Sequence, residues 1–542
     1  MSARTLIRSA RVIDGTGTPW FRADLLIEGG RIAAIGPGLA APGAAVVDAE
    51  ENFLAPGFID AHCHDDLITL REPLRPEKLL QGVTTVVVGN CSFSLYPATP
   101  ASVSALARHF GALLGDVAAD EVFADLDAYR RALHGRGMAL NLVSLVGHAA
   151  LRYSVMGTDA RPATATEREA MVALLGGQLA QGAAGLSLGL VYPPSAMADA
   201  AELEALAAGV RAGGGLLAAH VRSYEAGLGQ AVDEFLALLR RSGAAGLLSH
   251  LQAAGRPNWG RVPAVLQALE AARSEGIDVA FDMYPYLAGS SYLQQLLPPA
   301  ALADGLAALL GRLGDAVARE ALRRQVEEGD PAPGAPQAKV ALIGWGNVMI
   351  SGVEAPSLKH LEGMRFDAAA AAAGLSPFDL LLRLLEADGG RTAIVMFQLH
   401  EDDLRAACCH RLHMFGSDGL PRPGTKPHPR AWGTFPRVVE RLAGGQRWLA
   451  LEEAVRHMTS APAGRFRLAD RGVLRAGMVA DLVLFRPELR ECSSFEAPER
   501  FARGVVRLWV AGEAVVAEGA VTGRRPGRVL RPGATGDARA AA

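Results

Sequence analysis

From residue 58 to residue 417, short apolar runs alternate with stretches of helical period. The runs at 58–62, 84–88, 140–146, 185–188, 216–220, 246–250, 278–283 and 413–417 have the length of buried strands. Between most of them lie amphipathic patterns such as AELEALAAGVRAG and GLGQAVDEFLALLRRSG, whose apolar positions recur three and four residues apart. Repeated β-then-α units call for a parallel sheet, and eight strands in order predict a (β/α)8 TIM barrel. An open doubly wound sheet is the alternative. It is disfavoured because no Gly-rich phosphate loop follows a strand; GGQLAQGAAG reads as a linker. The interval after the seventh run, about 286–405, is much longer than the others. Its Ala/Leu-rich helical stretches and its PGAP segment predict an inserted lid subdomain above the barrel mouth.

The pattern changes at both ends of the chain. Residues 4–54 read as short strands and turns, with Gly29-Gly30 marking a hairpin in ADLLIEGGRIAAIG. LRAGMVADLVLF, VVRLWVA and GEAVVAEG near the C-terminus read the same way. Chain ends often lie close in space, so residues 1–54 and 471–542 are expected to build one small β-sandwich domain. The barrel then occupies 55–470, and the final PGATGDARAAA is expected to fray.

At 542 residues the chain is too long for one ordinary domain, and its 50% hydrophobic content supplies a sizeable core. A formal charge of -3 without basic or acidic blocks gives no footprint for nucleic acid or an anionic membrane. The five cysteines, Cys63, Cys91, Cys408, Cys409 and Cys492, are odd in number and unevenly spaced. That argues against a disulfide framework and for a reduced, cytoplasmic setting. MSARTLIRSARVIDG lacks the apolar centre of a signal peptide, and no uninterrupted apolar run is long enough to span a bilayer.

Chemistry concentrates at the ends of the apolar runs. The first leads into FIDAHCHDD, where His62 and His64 sit two apart and so share one face of an extended chain. Neutral imidazoles side by side suit a transition metal. The second run ends in VVVGNCSFS and offers Cys91; the third ends in VGH, with His148. The fifth and sixth end in His220 and His250, and the eighth in GSDG, with Asp418. In this barrel the active site forms at the C-terminal rim, so these residues are expected to converge around a metal. His148 is read as a supporting residue outside the ligand set, because that set is full without it. His400, His410, His413, His428 and His457, and the other four cysteines, are read as structural.

GFIDAHCHDD, GNCSFS, AAHVRSY, SHLQAAGRPNWG, GSDG and HPRAWGTFPR together resemble the amidohydrolase superfamily, and within it the N-acyl-D-amino-acid deacylases. The resemblance spans nearly the whole chain. It implies one or two Zn2+ ions, with Cys91, His220 and His250 resembling the ligands of the tightly held ion. His62 and His64 resemble the paired ligands of the first strand, with Asp418 nearby. Most superfamily members bridge two metals with a lysine or glutamate on strand four; here that strand reads GLSLGLVY and has neither. In the deacylases a strand-two thiolate takes the role, which agrees with Cys91. Asp418 is then the general base and acid of amide hydrolysis.

The resemblance also implies a clamp for the substrate carboxylate. Arg430, in HPR, resembles the family arginine, and Tyr192 and Tyr284 resemble its tyrosines. The SHHK motif of many members is here Ser249-His250-Leu251-Gln252, so Gln252 removes one positive charge from that clamp. The expected reaction is hydrolysis of N-acyl-D-amino acids to a carboxylate and a free D-amino acid. The alternatives are cleavage of a cyclic amide, as in dihydroorotases and hydantoinases, or of a dipeptide. A non-catalytic barrel scaffold is a third reading.

Overall fold

The computed structural model describes residues 4–302, 305–329 and 337–533. Each of the eight apolar runs carries a strand: β1 (Phe58–Asp60), β2 (Val83–Val88), β3 (Asn141–Ser144), β4 (Gly185–Gly189), β5 (Leu216–His220), β6 (Ala245–Leu248), β7 (Val279–Met283) and β8 (His413–Phe415). All pairings among them are parallel. β1, β2 and β3 form one sheet; Val146–Gly147, β4, β5, β6, β7 and β8 form a second. Only Leu145 separates β3 from Val146–Gly147. At the other margin the Ala61 N–H donates to the Phe415 carbonyl at 3.2 Å.

The helices follow from their apolar stripes. Leu228–Ser242 buries Leu228, Ala231, Val232, Phe235 and Leu239 on one face, places Arg240 and Arg241 in its last turn and ends on Gly243 at φ 66. Burying Phe235 contributes about 1.5–3 kcal/mol by transfer from water. No single helix among the described residues is long and apolar enough to cross a membrane.

Segments from both ends of the chain enter one nine-stranded sheet. The junction is the antiparallel ladder of Phe53–Pro56 with Leu482–Arg490, which pairs Leu54 with Leu484 and makes the hydrogen bonding continuous. Within 286–405 lies a separate three-stranded antiparallel sheet, Ala288–Tyr292, Ala393–Phe397 and Val348–Gly352 in that order. It shares a hydrophobic cluster of its own with surrounding helices, including Leu293, Phe378, Leu384 and Ile394. The strand AGSSY carries almost no apolar signal, which is why this sheet was not anticipated. The PGAP segment and the chain beyond 533 lie outside the described residues.

Candidate metal centre

The strand at Phe58 stops at Asp60; the chain bends at Ala61 and His62, and His64 follows the bridge at Cys63. Their rings lie 5.5 Å apart and both reach Asp418, while the Cys63 thiol turns away to the Val87 carbonyl. The backbone is held there by Gly416: a Cβ at that position would come within 2.5 Å of the His62 Cβ. Cys91, His250 and Asp418 all have positive φ, at 52°, 33° and 48°. Three non-glycine donors in this costly region mark a site whose geometry is enforced by its surroundings.

Two clusters of donor atoms result, His62–Cys91–His250 and His62–His64–Asp418, each with its atoms within 4.8 Å of one another and all residues buried. The Cys91 Sγ lies 3.4 Å from both His62 Nε2 and His250 Nε2. In a tetrahedral site with zinc–sulfur near 2.3 Å and zinc–nitrogen near 2.0 Å, two such ligands stand roughly 3.5 Å apart. The donor set and its spacing therefore fit zinc. His62 is common to both clusters. His220, expected beside Cys91 and His250, is outside the tight groups but packs against His250 at a ring distance of 4.6 Å and helps hold the Cys91 thiol down.

Burial alone pushes the Cys91 thiol up; His62, His250 and His220 outweigh it and hold it well below an ordinary cysteine, as a thiolate. Asp418 behaves likewise. Burial raises its carboxyl, but Arg430, His64, His250 and His62 hold it well below the usual carboxylate range. His64 moves the other way, to about 9, because Asp418 and Cys91 overcome the burial that disfavours its charge.

Strand β4 supports the thiol rather than supplying a ligand. Ser187 Oγ accepts from the Ser92 N–H at 3.0 Å, and a Cβ on Gly189 would sit 2.3 Å from the Cys91 carbonyl oxygen. Small residues there let the strand-two turn close over the cluster.

The expected carboxylate clamp lies next to Asp418. Arg430 Nη1 is 2.9 Å from Asp418 Oδ2, and its guanidinium lies 4.5 Å from the centre of the Tyr284 ring. Arg430 is fully buried, and beyond its ion pair with Asp418 its Nε and Nη2 have no hydrogen-bond partner. Such a fork calls for an incoming anion. The Tyr284 hydroxyl donates to Gln252 Oε1 at 3.3 Å, so Gln252 does adjoin this corner. The Tyr192 ring packs 5.0 Å from His220. His148 is placed differently: its Nε2 meets Glu202 at 2.7 Å, and Glu202 in turn binds Arg152. That buried ion pair captures the imidazole, so its role is in packing helices rather than in orienting a donor.

Three supporting groups escaped the sequence reading. Asp282, at the end of β7, faces His62 Nδ1 at 3.2 Å and accepts the His250 N–H at 2.9 Å, fixing the orientation of one donor and the backbone of another. The signal was present in DMYPY, an acid at a strand end. His428 accepts the Arg430 N–H on Nδ1 at 3.0 Å and donates from Nε2 to the Ala288 carbonyl at 3.0 Å, which sets the arginine. Lys78 is fully buried and joins Asp60 at 2.6 Å, Ser417 at 3.0 Å and Asp65 at 3.4 Å. It ties the segment before His62 to the one before Asp418. Replacing Lys78 by methionine is expected to cost about 3–5 kcal/mol, because Asp60 is left buried and charged. Denaturant unfolding measures this, and an unchanged midpoint would contradict it.

The profile described as Amidohydrolase family matches residues 45–516. The chain is 38% identical over 527 residues to an N-acyl-D-glutamate deacylase of Alcaligenes xylosoxydans xylosoxydans, covering 97% of this chain and 96% of the relative. It is 36% identical over 530 residues to a D-aminoacylase of the same organism, covering 97% of each. The solved N-acyl-D-glutamate deacylase of Bordetella bronchiseptica, complexed with zinc and a phosphonate mimic of the tetrahedral intermediate, superposes with a TM-score of 0.81. That structure is 34% identical, and the match covers 98% of this chain and 100% of it.

Proposed function

The chain belongs to the amidohydrolase family, and from that premise we propose that it hydrolyses the amide bond of N-acyl-D-amino acids, releasing a carboxylate and a free D-amino acid. It is a metal-dependent hydrolase, and its cofactor is zinc. The observation that carries the reading is the buried meeting of Cys91, His62 and His250 with Asp418, which is paired to the buried Arg430. We read the two parallel sheets as a single eight-stranded barrel. The short gap at Leu145 and the Ala61–Phe415 hydrogen bond support that closure. The nine-stranded sheet is then a second domain, and the unit around 286–405 a lid.

Cys91, His220, His250, His62 and His64 would hold zinc, which would supply Lewis acidity for a water and a carbonyl. The protein's own groups do the rest. Asp418, kept anionic, accepts the proton of the attacking water and returns it to the departing nitrogen, which must leave as a neutral amine. Arg430 takes the α-carboxylate of the substrate, with the Tyr284 ring against its guanidinium and His428 holding its backbone. Tyr192 and Gln252 complete the walls of that corner. Asp282 keeps His62 aimed. The free thiols at all five cysteines, one of them a metal donor, suit a reducing cytoplasm.

A panel of N-acetyl-D- and N-acetyl-L-amino acids tests the proposal. Turnover is expected for D substrates over L, with loss on exhaustive chelation and return on adding zinc. Preference for L substrates would overturn the stereochemistry, and full activity after complete zinc removal would overturn the metal role.

A further inference from the structure

A cavity of about 320 Å³ opens at the other end of the parallel strands from the metal centre. Leu216 and His413, the first residues of β5 and β8, lie in its wall. His220 closes β5 at the opposite end, four residues and about 13 Å further along. Five arginines converge on the cavity from three segments of the chain: Arg273, Arg411, and Arg456 with Arg465 and Arg467.

Their partners do not balance them. Arg273 and Arg465 share one carboxylate, Asp278 Oδ1, at 2.6 and 2.9 Å. Arg411 pairs with Glu270, and Arg456 with Glu453 at 2.7 Å. Arg467 turns to the Gly214 carbonyl. Five guanidinium groups thus meet three carboxylates, an excess of two positive charges. The neighbouring imidazoles do not add to it: burial lowers His413 and His457, and His410 with them. Arg465 is the most enclosed pair member, its side chain 11% exposed. Removing a cation from water with only half of a carboxylate for a partner is costly, and an anion in the cavity would offset that cost.

We propose that this cavity binds a small dianionic oxyanion ligand, a phosphate monoester or a polycarboxylate, at a site separate from the hydrolytic centre. Guanidinium forks engage both groups in bidentate fashion, and a dianion matches the charge excess. The volume is at the small end of ligand pockets, which run from about 300 to 1,000 Å³, so a compact metabolite fits and a polymer does not.

Isothermal titration calorimetry on the zinc-loaded, full-length protein tests this with ribose 5-phosphate in one arm and tricarballylate in the other. At least one is expected to bind one-to-one with a dissociation constant at or below about 1 mM. The arm that binds identifies phosphate or carboxylate as the recognised group. The Arg273→Ala/Arg465→Ala protein is expected to bind roughly tenfold more weakly or worse, while its deacylase turnover without probe stays at the parental value. Arg411→Glu, at a side chain 61% exposed, serves if the double variant unfolds and should weaken binding equally. Absence of binding in both arms overturns the proposal. So does binding that these substitutions leave unchanged, since the anion would then sit elsewhere.

Discussion

Replacing Asp418 by alanine or asparagine is expected to abolish nearly all turnover, by about 10³-fold or more, while the protein remains folded. The carboxylate has two functions that no neighbour duplicates. Oδ1 faces His64 at 3.2 Å and His62 at 3.6 Å, on the donor side, and Oδ2 faces Arg430 at 2.9 Å, on the substrate side. It therefore stands between the histidine donors and Arg430, and its lowered pKa keeps it ionised and able to accept a proton across the neutral range. Asparagine preserves the shape but takes up no proton. The loss should appear in kcat with KM nearly unchanged, since Arg430 still receives the substrate carboxylate. Steady-state kinetics beside thermal unfolding and zinc content measure all three. Turnover within tenfold of the parent, with zinc retained, would remove Asp418 from the proton transfer.

The second large effect concerns Cys91. Cys91→Ser is expected to lower retained zinc after dialysis and to cut kcat/KM by roughly 100-fold or more, since changes even to groups behind metal ligands cost 10–100-fold. The two side chains are nearly isosteric, so the contrast isolates the charge. The thiol is held as thiolate by His62, His250 and His220, whereas a serine hydroxyl in the same pocket stays neutral. The imidazoles would then lose the anion that balances a divalent cation. Elemental analysis reads the metal, and kinetics with added zinc separate weak binding from a broken centre. Parental zinc content in the serine protein would mean that the histidines and Asp418 hold the metal without the thiol.

Much of this arrangement was legible in the chain because its signals are local. A buried parallel strand needs an apolar run, and each of the eight runs carries one, with ends displaced by no more than a few residues. Donors placed just after those runs fall at one end of the strands as a consequence of parallel pairing, so His62, His64, Cys91, His220, His250 and Asp418 group together from the sequence alone. Arg430 came from a motif.

Other features depend on which distant groups meet, and no local period records that. His62 belongs to two donor clusters because Cys91 and Asp418 approach it from different sides. Lys78 shields Asp60 beside Ser417, 339 residues away in sequence. His148 is taken by Glu202, 54 residues on, and the cationic cavity draws its arginines from separate segments. The sequence by itself determined where strands and donor types fall, because backbone pairing and side-chain alternation act over a few residues. Tertiary structure alone decided which donors stand close together and which charges lie buried together, because Coulomb and desolvation energies follow distance in space rather than position along the chain.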